Sequence, residues 1–534
     1  MIVGLSYFSE IEREKHHSRE TEGAHCKDEA CCAKRRIMQA TLTLDTQFHV
    51  GEIDPRIFSG FLEHLGRAVY EGIYDPGNPL SDSSGFRTDV LEALRKMRMP
   101  LMRYPGGNFV SAYDWTDGIG PRAQRPKRPE FAWKSVETNA FGTDEFMAWC
   151  KEAQTAPMMA VNLGTKGPTE AGALLEYCNF PTGTYWADKR AANGHPEPYG
   201  VKTWCLGNEM DGPWQAGHVP AAEYALRADQ AAKLMRGLDS SIELVVCGSS
   251  GREMATYLEY DRITLEYCWK DVQYLSAHRY STNHNHEPAW FLAEGIEVDR
   301  VIEDYAGLFD YVRGVKRSNK RFYLSFDEWN VWYKDRGGNG QWTEAPHLCE
   351  EVYNLEDALV VAQYLNAFIR RADIVKIACI AQIVNVIAPM LTKQDGLLIQ
   401  STYYPFQLMA EHTRGKSLRP ILDCPMVPAG ARGEVPVLDV SASLAEDGSL
   451  AVFVVNRSLT DAMTLDIHLD DAKITEIIGV DVLTGPGPKA ANTWEQPNLI
   501  VPMPGSARLA DTGGVSLAVP ALGFAVFRAK IAPR

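Results

Sequence analysis

The chain has 534 residues, more than one compact core usually holds, so two domains or one large domain with an appendage are expected. A formal net charge of −15 and a pI of about 5.4 set it against polyanions, which argues against nucleic acid and anionic membranes and suits a neutral ligand such as a sugar. No apolar run reaches the roughly 20 residues of a membrane-spanning helix, and the start MIVGLSYF turns sharply charged without the features of a secretory signal, so the protein is expected in the cytoplasm and not at a membrane.

In chain order, residues 1–37 are charged and poor in apolar residues and read as a disordered extension. Cys26, Cys31 and Cys32 cluster there with His16, His17 and His25, but the paired CxxC spacing of a zinc site is missing, so no metal is expected. Met38 is an alternative start. Residues 38–57 follow, with an alternating strand over Ala40–Val50 expected to join a C-terminal sandwich.

Eight short apolar runs come next: Phe58–Gly66, Leu101–Gly107, Pro157–Gly164, Val201–Glu209, Ile242–Ser249, Val272–Tyr280, Arg321–Trp329 and Ile374–Asn385. Helical patterns such as TDVLEALRKMR, TDEFMAWCKEA, PAAEYALRADQAAKLMRGLD and LEDALVVAQYLNAFIRRA lie between them. This alternation predicts an α/β fold, a (β/α)8 TIM barrel over residues 58–415. A doubly wound sheet would carry a Gly-rich phosphate loop after its first strand, and FSGFLEHLGRAVY is not one. Past residue 415 the helical period gives way to short alternating runs, from VPVLDVSASL to VSLAVPALGFAVFRAKI, predicting an antiparallel, jelly-roll-like β-sandwich over 416–534. Cys150, Cys178, Cys205, Cys247 and Cys379 sit in apolar stretches and read as free, buried thiols.

A barrel of this kind does its chemistry at the C-terminal ends of its strands. Two carboxylates stand out there: Glu209, after Asn208 in WCLGNEMDGPW, and Glu328, after Asp327 in LSFDEWNVW. Such a pair meets the needs of glycoside hydrolysis, one group protonating the leaving oxygen and the other attacking the anomeric carbon or activating water. Neighbours on a strand alternate faces, so only one of Asp327 and Glu328 is expected in the cup, and the sequence does not say which. Asp211 competes at the fourth strand. Glu63 and His64, Arg103 and Asn108, His278 and Tyr280, and Gln382 and Asn385 supply further polar groups at strand ends, which suits a polyhydroxylated ligand.

The motifs GFLEHLGRAVYEGIYD, MRYPGGNFVSAYDWTDGIGPR, FAWKSVETNAFGTDEF, WCLGNEMDGPWQ, DEWNVWY and AQIVNVIAPM together resemble glycoside hydrolase family 51, chiefly α-L-arabinofuranosidases, over nearly everything after Met38. The resemblance implies a retaining exo-glycosidase acting on arabinofuranosyl oligosaccharides, with Glu209 as acid/base and Glu328 as nucleophile. It implies that Glu63, Arg103, Asn108, Asn208, Tyr280 and Gln382 hold the sugar or orient the nucleophile, and that Trp133 and Trp332 line the pocket. It also implies a homo-oligomer, typically a hexamer, and no cofactor. Ala112, Asp114 and Arg279 depart from the commoner residues. An endo-acting glycanase on the same barrel, or a non-catalytic sugar-binding protein, is the alternative.

Overall fold

The structure, a computed structural model, describes residues 38–534; the extension and its cysteine–histidine cluster lie outside the described residues. Eight parallel strands close a barrel in the order expected from the sequence, from Ser59–Phe61, Leu101–Tyr104, Ala156–Val161 and Thr203–Leu206 to Glu243–Val246, Tyr274–Ser281, Tyr323–Val331 and Val375–Ala381. The last strand pairs with the first, Ile380 against Gly60. No helix among the described residues is long and apolar enough to cross a membrane.

The ladders are shorter than the apolar runs. The fourth run was expected to reach Glu209, yet hydrogen bonding stops at Leu206 and Gly207 turns the chain at φ +93°. The first stops at Phe61, two residues before Glu63. Apolar residues such as Leu62, Leu65 and Met210 continue past the ladders because the rim segments that carry them are themselves buried. The seventh strand instead runs two residues further than expected, to Val331.

Two sheets form the second layer system. A five-stranded sheet contains Met38–Leu44, and a seven-stranded sheet contains His49–Glu52. The segment Ala40–Val50, expected as one strand, is therefore two, with Asp45–Phe48 turning the chain from one sheet to the other. Met38–Leu44 runs parallel to Met463–Leu469, a parallel pair in an otherwise antiparallel sandwich.

The strand Ser449–Asn456 is buried on both faces. Val452 and Val454 enter the sandwich core, while Ala451, Phe453 and Val455 pack into the barrel's core. The barrel helix Leu355–Arg370 presses on this side and is buried all round except at Arg370. Asp439 pins the contact: Arg370 Nη1 donates to it at 2.9 Å, Asn366 Nδ2 at 2.9 Å, and Arg457 Nη2 lies 3.2 Å away. Burial alone would raise the Asp439 carboxyl, but the two arginines hold it below the usual carboxylate range. All eight cysteines of the described residues are unpaired, and seven are buried.

Candidate active site

A cavity of about 480 Å³ opens at the C-terminal end of the barrel, a size that encloses a small ligand. Eight of the candidate residues line it: Glu63, Asn108, Trp133, Glu209, Tyr280, Glu328, Trp332 and Gln382. Arg103 and Asn208 sit just beneath, each only 1% exposed. Asn208 accepts from Arg103 Nη2 at 2.6 Å and faces Asn108 Oδ1 at 3.5 Å, so in this arrangement it braces the guanidinium and does not line the cavity.

Glu328 lies within the seventh strand, next to an irregularity in its pairing with both neighbours. Arg103 Nη1 donates to its Oε1 at 2.7 Å and the Tyr280 hydroxyl to its Oε2 at 2.9 Å. Both oxygens thus face donors, an arrangement that suits a carboxylate anion. Against the cost of burial, Asp327 and Glu328 hold the Arg103 guanidinium firmly protonated.

Asp327 was expected to face away if Glu328 faced in; the structure brings both inward. Ser276 pairs with Ser325 and His278 with Glu328, so the seventh strand carries one residue more than the sixth over this stretch. Such a bulge breaks the alternation. Asp327 lies below Glu328, fully buried, accepting from Ser276 Oγ at 2.5 Å and meeting His278 Nε2 at 3.1 Å and Arg103 Nε at 3.8 Å. Burial would raise its carboxyl, but Arg103 and His278 hold it below its ordinary value.

Glu209 stands beyond its strand, at φ +45°, a left-handed conformation that costs a non-glycine residue of order 1–3 kcal/mol and persists where surroundings hold it. His278 Nδ1 meets its Oε1 at 2.9 Å, and Trp214 Nε1 donates to its Oε2 at 2.9 Å. Gly212 makes room for that indole: a Cβ there would lie 2.6 Å from Trp214 Cε2. Burial raises the Glu209 carboxyl above its ordinary value, and the charge of Glu328 adds to this against the bonds from His278 and Trp214. Burial would lower the His278 imidazole, but Glu328, Asp327 and Glu209 push it up to about 10. At Glu209, burial and the Glu328 carboxylate outweigh the bonds from His278 and Trp214, a direction that suits a proton donor.

Glu63 completes the floor. Phe109 N donates to its Oε1 at 2.9 Å and Trp133 Nε1 at 3.2 Å, while its own N–H donates to Gln382 Oε1 at 2.8 Å. Gly107 of the PGGN motif permits this, since a Cβ there would come 2.6 Å from Glu63 Oε2. Burial, reinforced by Glu328, pushes the Glu63 carboxyl up to about 8. The tryptophans flank the cup, with the Trp332 and Tyr280 rings edge to face at 5.2 Å.

Some strand-end residues point elsewhere. His64 bonds Glu137 and Tyr104, each at 2.7 Å, in a buried network. Asn385 bonds the Arg67 carbonyl and Thr392, and Asp211 holds Ser250. Trp214 was not singled out in the sequence; its place five residues after Glu209 in a Gly-Pro turn was the available signal. Glu209, His278 and Glu328 offer ligand atoms within 4.8 Å of one another, the spacing of a possible cation site. Each carboxylate and the imidazole already has a protein partner, and the group reads as a charge and proton network.

Parallel barrel, facing carboxylates and a pocket walled by tryptophans together define a barrel glycoside hydrolase. Family models described as the α-L-arabinofuranosidase 1 domain and the α-L-arabinofuranosidase C-terminal domain match residues 93–294 and 327–522. An intracellular exo-α-(1→5)-L-arabinofuranosidase of Bacillus subtilis is 42% identical over 89% of this chain and 96% of its own. An exo-α-(1→6)-L-arabinofuranosidase of Bifidobacterium longum is 41% identical over 92% and 98%. The solved structure of a family 51 α-L-arabinofuranosidase from Bifidobacterium longum superposes with a TM-score of 0.89 at 38% identity, covering 92% of this chain and all of that one. The chain belongs to the family 51 α-L-arabinofuranosidases.

Proposed function

We propose that this protein is an exo-acting, retaining α-L-arabinofuranosidase that removes terminal non-reducing arabinofuranosyl residues from arabinan- and arabinoxylan-derived saccharides. The carrying observation is the spacing of the pair: a carboxylate oxygen of Glu209 and one of Glu328 lie within 4.8 Å of each other. That separation favours direct attack by a carboxylate, since an inverting pair stands roughly 6.5–9.5 Å apart to admit a water between.

In the first step Glu328 attacks the anomeric carbon while Glu209 gives its proton to the departing glycosidic oxygen. The C–O bond breaks and a glycosyl ester on Glu328 forms. In the second, Glu209, now ionised, takes a proton from water, which attacks the same carbon and releases arabinose with its configuration retained. Arg103 and Tyr280 orient Glu328, and His278 and Trp214 orient Glu209. Glu63, Asn108 and Gln382 are placed to bond the sugar hydroxyls. The chemistry calls for no cofactor or metal. Its working compartment is taken to be the cytoplasm, a reading supported by the intracellular naming of the Bacillus subtilis relative and by the unpaired buried thiols.

The test is a panel of nitrophenyl glycosides with anomeric products followed by NMR. The α-L-arabinofuranoside should exceed the β-D-xyloside in kcat/KM by at least about tenfold, since misplaced hydroxyls leave buried polar groups unpaired, and the first-formed arabinose should be the α anomer. Release of xylan or β-glucan fragments without free arabinose would overturn the exo reading.

A further inference from the structure

The cavity rim carries charge that hydrolysis of a neutral arabinofuranoside does not use. Two loops form one side of the mouth: residues 130–136, which present Trp133, and residues 332–343, which present Trp332. Backbone bonds stitch them together, Gly340 N to Trp133 O at 3.0 Å, Trp342 N to Lys134 O at 2.7 Å and Val136 N to Thr343 O at 2.9 Å.

Two cations sit on this stitched rim. The Arg336 guanidinium lies 4.2 Å from the Trp332 ring centroid, and Lys134 Nζ lies 4.3 Å from that of Phe131 and 5.8 Å from that of Trp342. Stacking on a ring fixes where a cation sits without neutralising it. Among the described residues neither has a carboxylate partner. Their hydrogen bonds run only to backbone carbonyls, Arg336 Nη1 to Trp332 O at 2.9 Å and Lys134 Nζ to Phe131 O at 2.8 Å. A guanidinium has five N–H donors, so Arg336 keeps most of its capacity unspent.

The contrast with the rest of the molecule is sharp, because the chain has a net charge of −15. The other two arginines lining the cavity are neutralised from behind: Arg252 by Glu297 at 3.1 Å and Asp304 at 3.2 Å, and Arg279 by Glu294. Glu253, a lining carboxylate without a cation partner among the described residues, disfavours an anion on its own part of the rim. An anionic group entering the cavity is therefore directed toward Arg336, the lining cation without a carboxylate partner among the described residues.

We propose that this rim is an acceptor-side subsite for a uronic acid, the residue from which arabinofuranose is being removed. The aromatic rings meet the pyranose, and Arg336, with Lys134 on the loop stitched to its own, pairs with the C6 carboxylate in charge-assisted hydrogen bonds. The subsite rests on the arabinofuranosidase reading and adds the class of acceptor to it.

Two matched substrates test it: an arabinofuranosylated oligosaccharide whose acceptor is a hexose, and the same compound with that hexose oxidised to the hexuronate. The wild type should favour the hexuronate in kcat/KM by about two- to fivefold at low ionic strength, the range of a partly exposed charge pair. The preference should shrink with added salt. It should collapse toward unity in the Arg336→Gln/Lys134→Gln variant and be partly kept in Arg336→Lys. Because the ratio is taken within each variant, a general loss of activity cancels. No preference in the wild type, or one that survives the double substitution, overturns the subsite. Nitrophenyl α-L-arabinofuranoside is the reference: failure to hydrolyse it overturns the activity reading and the subsite with it, whereas hydrolysis with no hexuronate preference overturns the subsite alone.

Discussion

The fourth and seventh strand ends present the same side chain to the same cup and treat it differently. Glu328 rides on a continuous strand, and an arginine and a phenol donate to its two oxygens. Glu209 stands past the end of its ladder in a left-handed turn, held by an imidazole and an indole, with burial raising its carboxyl. The difference teaches how one residue type takes two roles. On the proposed mechanism, the arginine at hydrogen-bond distance prepares Glu328 as the nucleophile, while burial raises the Glu209 carboxyl despite His278 and suits it to protonate the leaving group.

The largest expected effect comes from removing the two groups in turn. Glu328→Ala should lower kcat/KM on every arabinofuranoside by roughly 10⁴-fold or more, since no glycosyl-enzyme can form. Glu209→Ala should lose roughly 10²–10⁴-fold on sugar leaving groups and far less in the first step on nitrophenyl substrates, which need little protonation. Steady-state kinetics on both substrate types checks this; equal losses on both for Glu209→Ala would erase the division of roles.

A smaller effect sharpens the comparison from the Glu209 side. Trp214 donates to Glu209 and so favours its ionised form. Trp214→Phe should move the alkaline limb of kcat/KM to higher pH, with a severalfold loss of rate at neutral pH, the scale of one hydrogen bond. A limb that moves to lower pH would contradict the sign.

The last effect is on stability and not on rate. The folded-state value of Glu63, about 8, lies above its ordinary 4.5, so the folded protein holds this proton more tightly than the unfolded chain. The associated stability is fully present below pH 4.5 and is lost as pH rises through 8. Glu63→Gln should flatten the decline in unfolding free energy between those limits, measured by denaturant titration at several pH values. An unchanged slope would place the titrating group elsewhere.

Much of this architecture was legible in the sequence, and the exceptions have physical causes. The eight barrel strands were readable because strands buried on both faces form continuous apolar runs between helical patterns. The same property hid their ends, since Gly207 and Asn208 beyond the fourth ladder are as buried as the ladder before them. Ser449–Asn456 does not alternate because the barrel covers the face a free sandwich would expose to water. The bulge that brings Asp327 and Glu328 inward together has no mark in YLSFDEW, because register is set by the neighbouring strand. The roles of Glu209 and Glu328 came from the family motifs; spacing along the chain distinguishes neither from Asp211 nor Asp327. Trp214 and Arg336 escaped notice because each acts through a loop whose path the sequence does not encode locally.

The division of labour between the two glutamates is tested most directly by intact-mass spectrometry of Glu209→Ala mixed with a nitrophenyl α-L-arabinofuranoside. With the nucleophile present and the general base gone, the account predicts a burst of nitrophenol, an arabinosyl adduct accumulating on Glu328, and azide rescue giving an azide product of retained configuration. An adduct that accumulates instead in Glu328→Ala, or rescue of Glu209→Ala with inverted configuration, would contradict it.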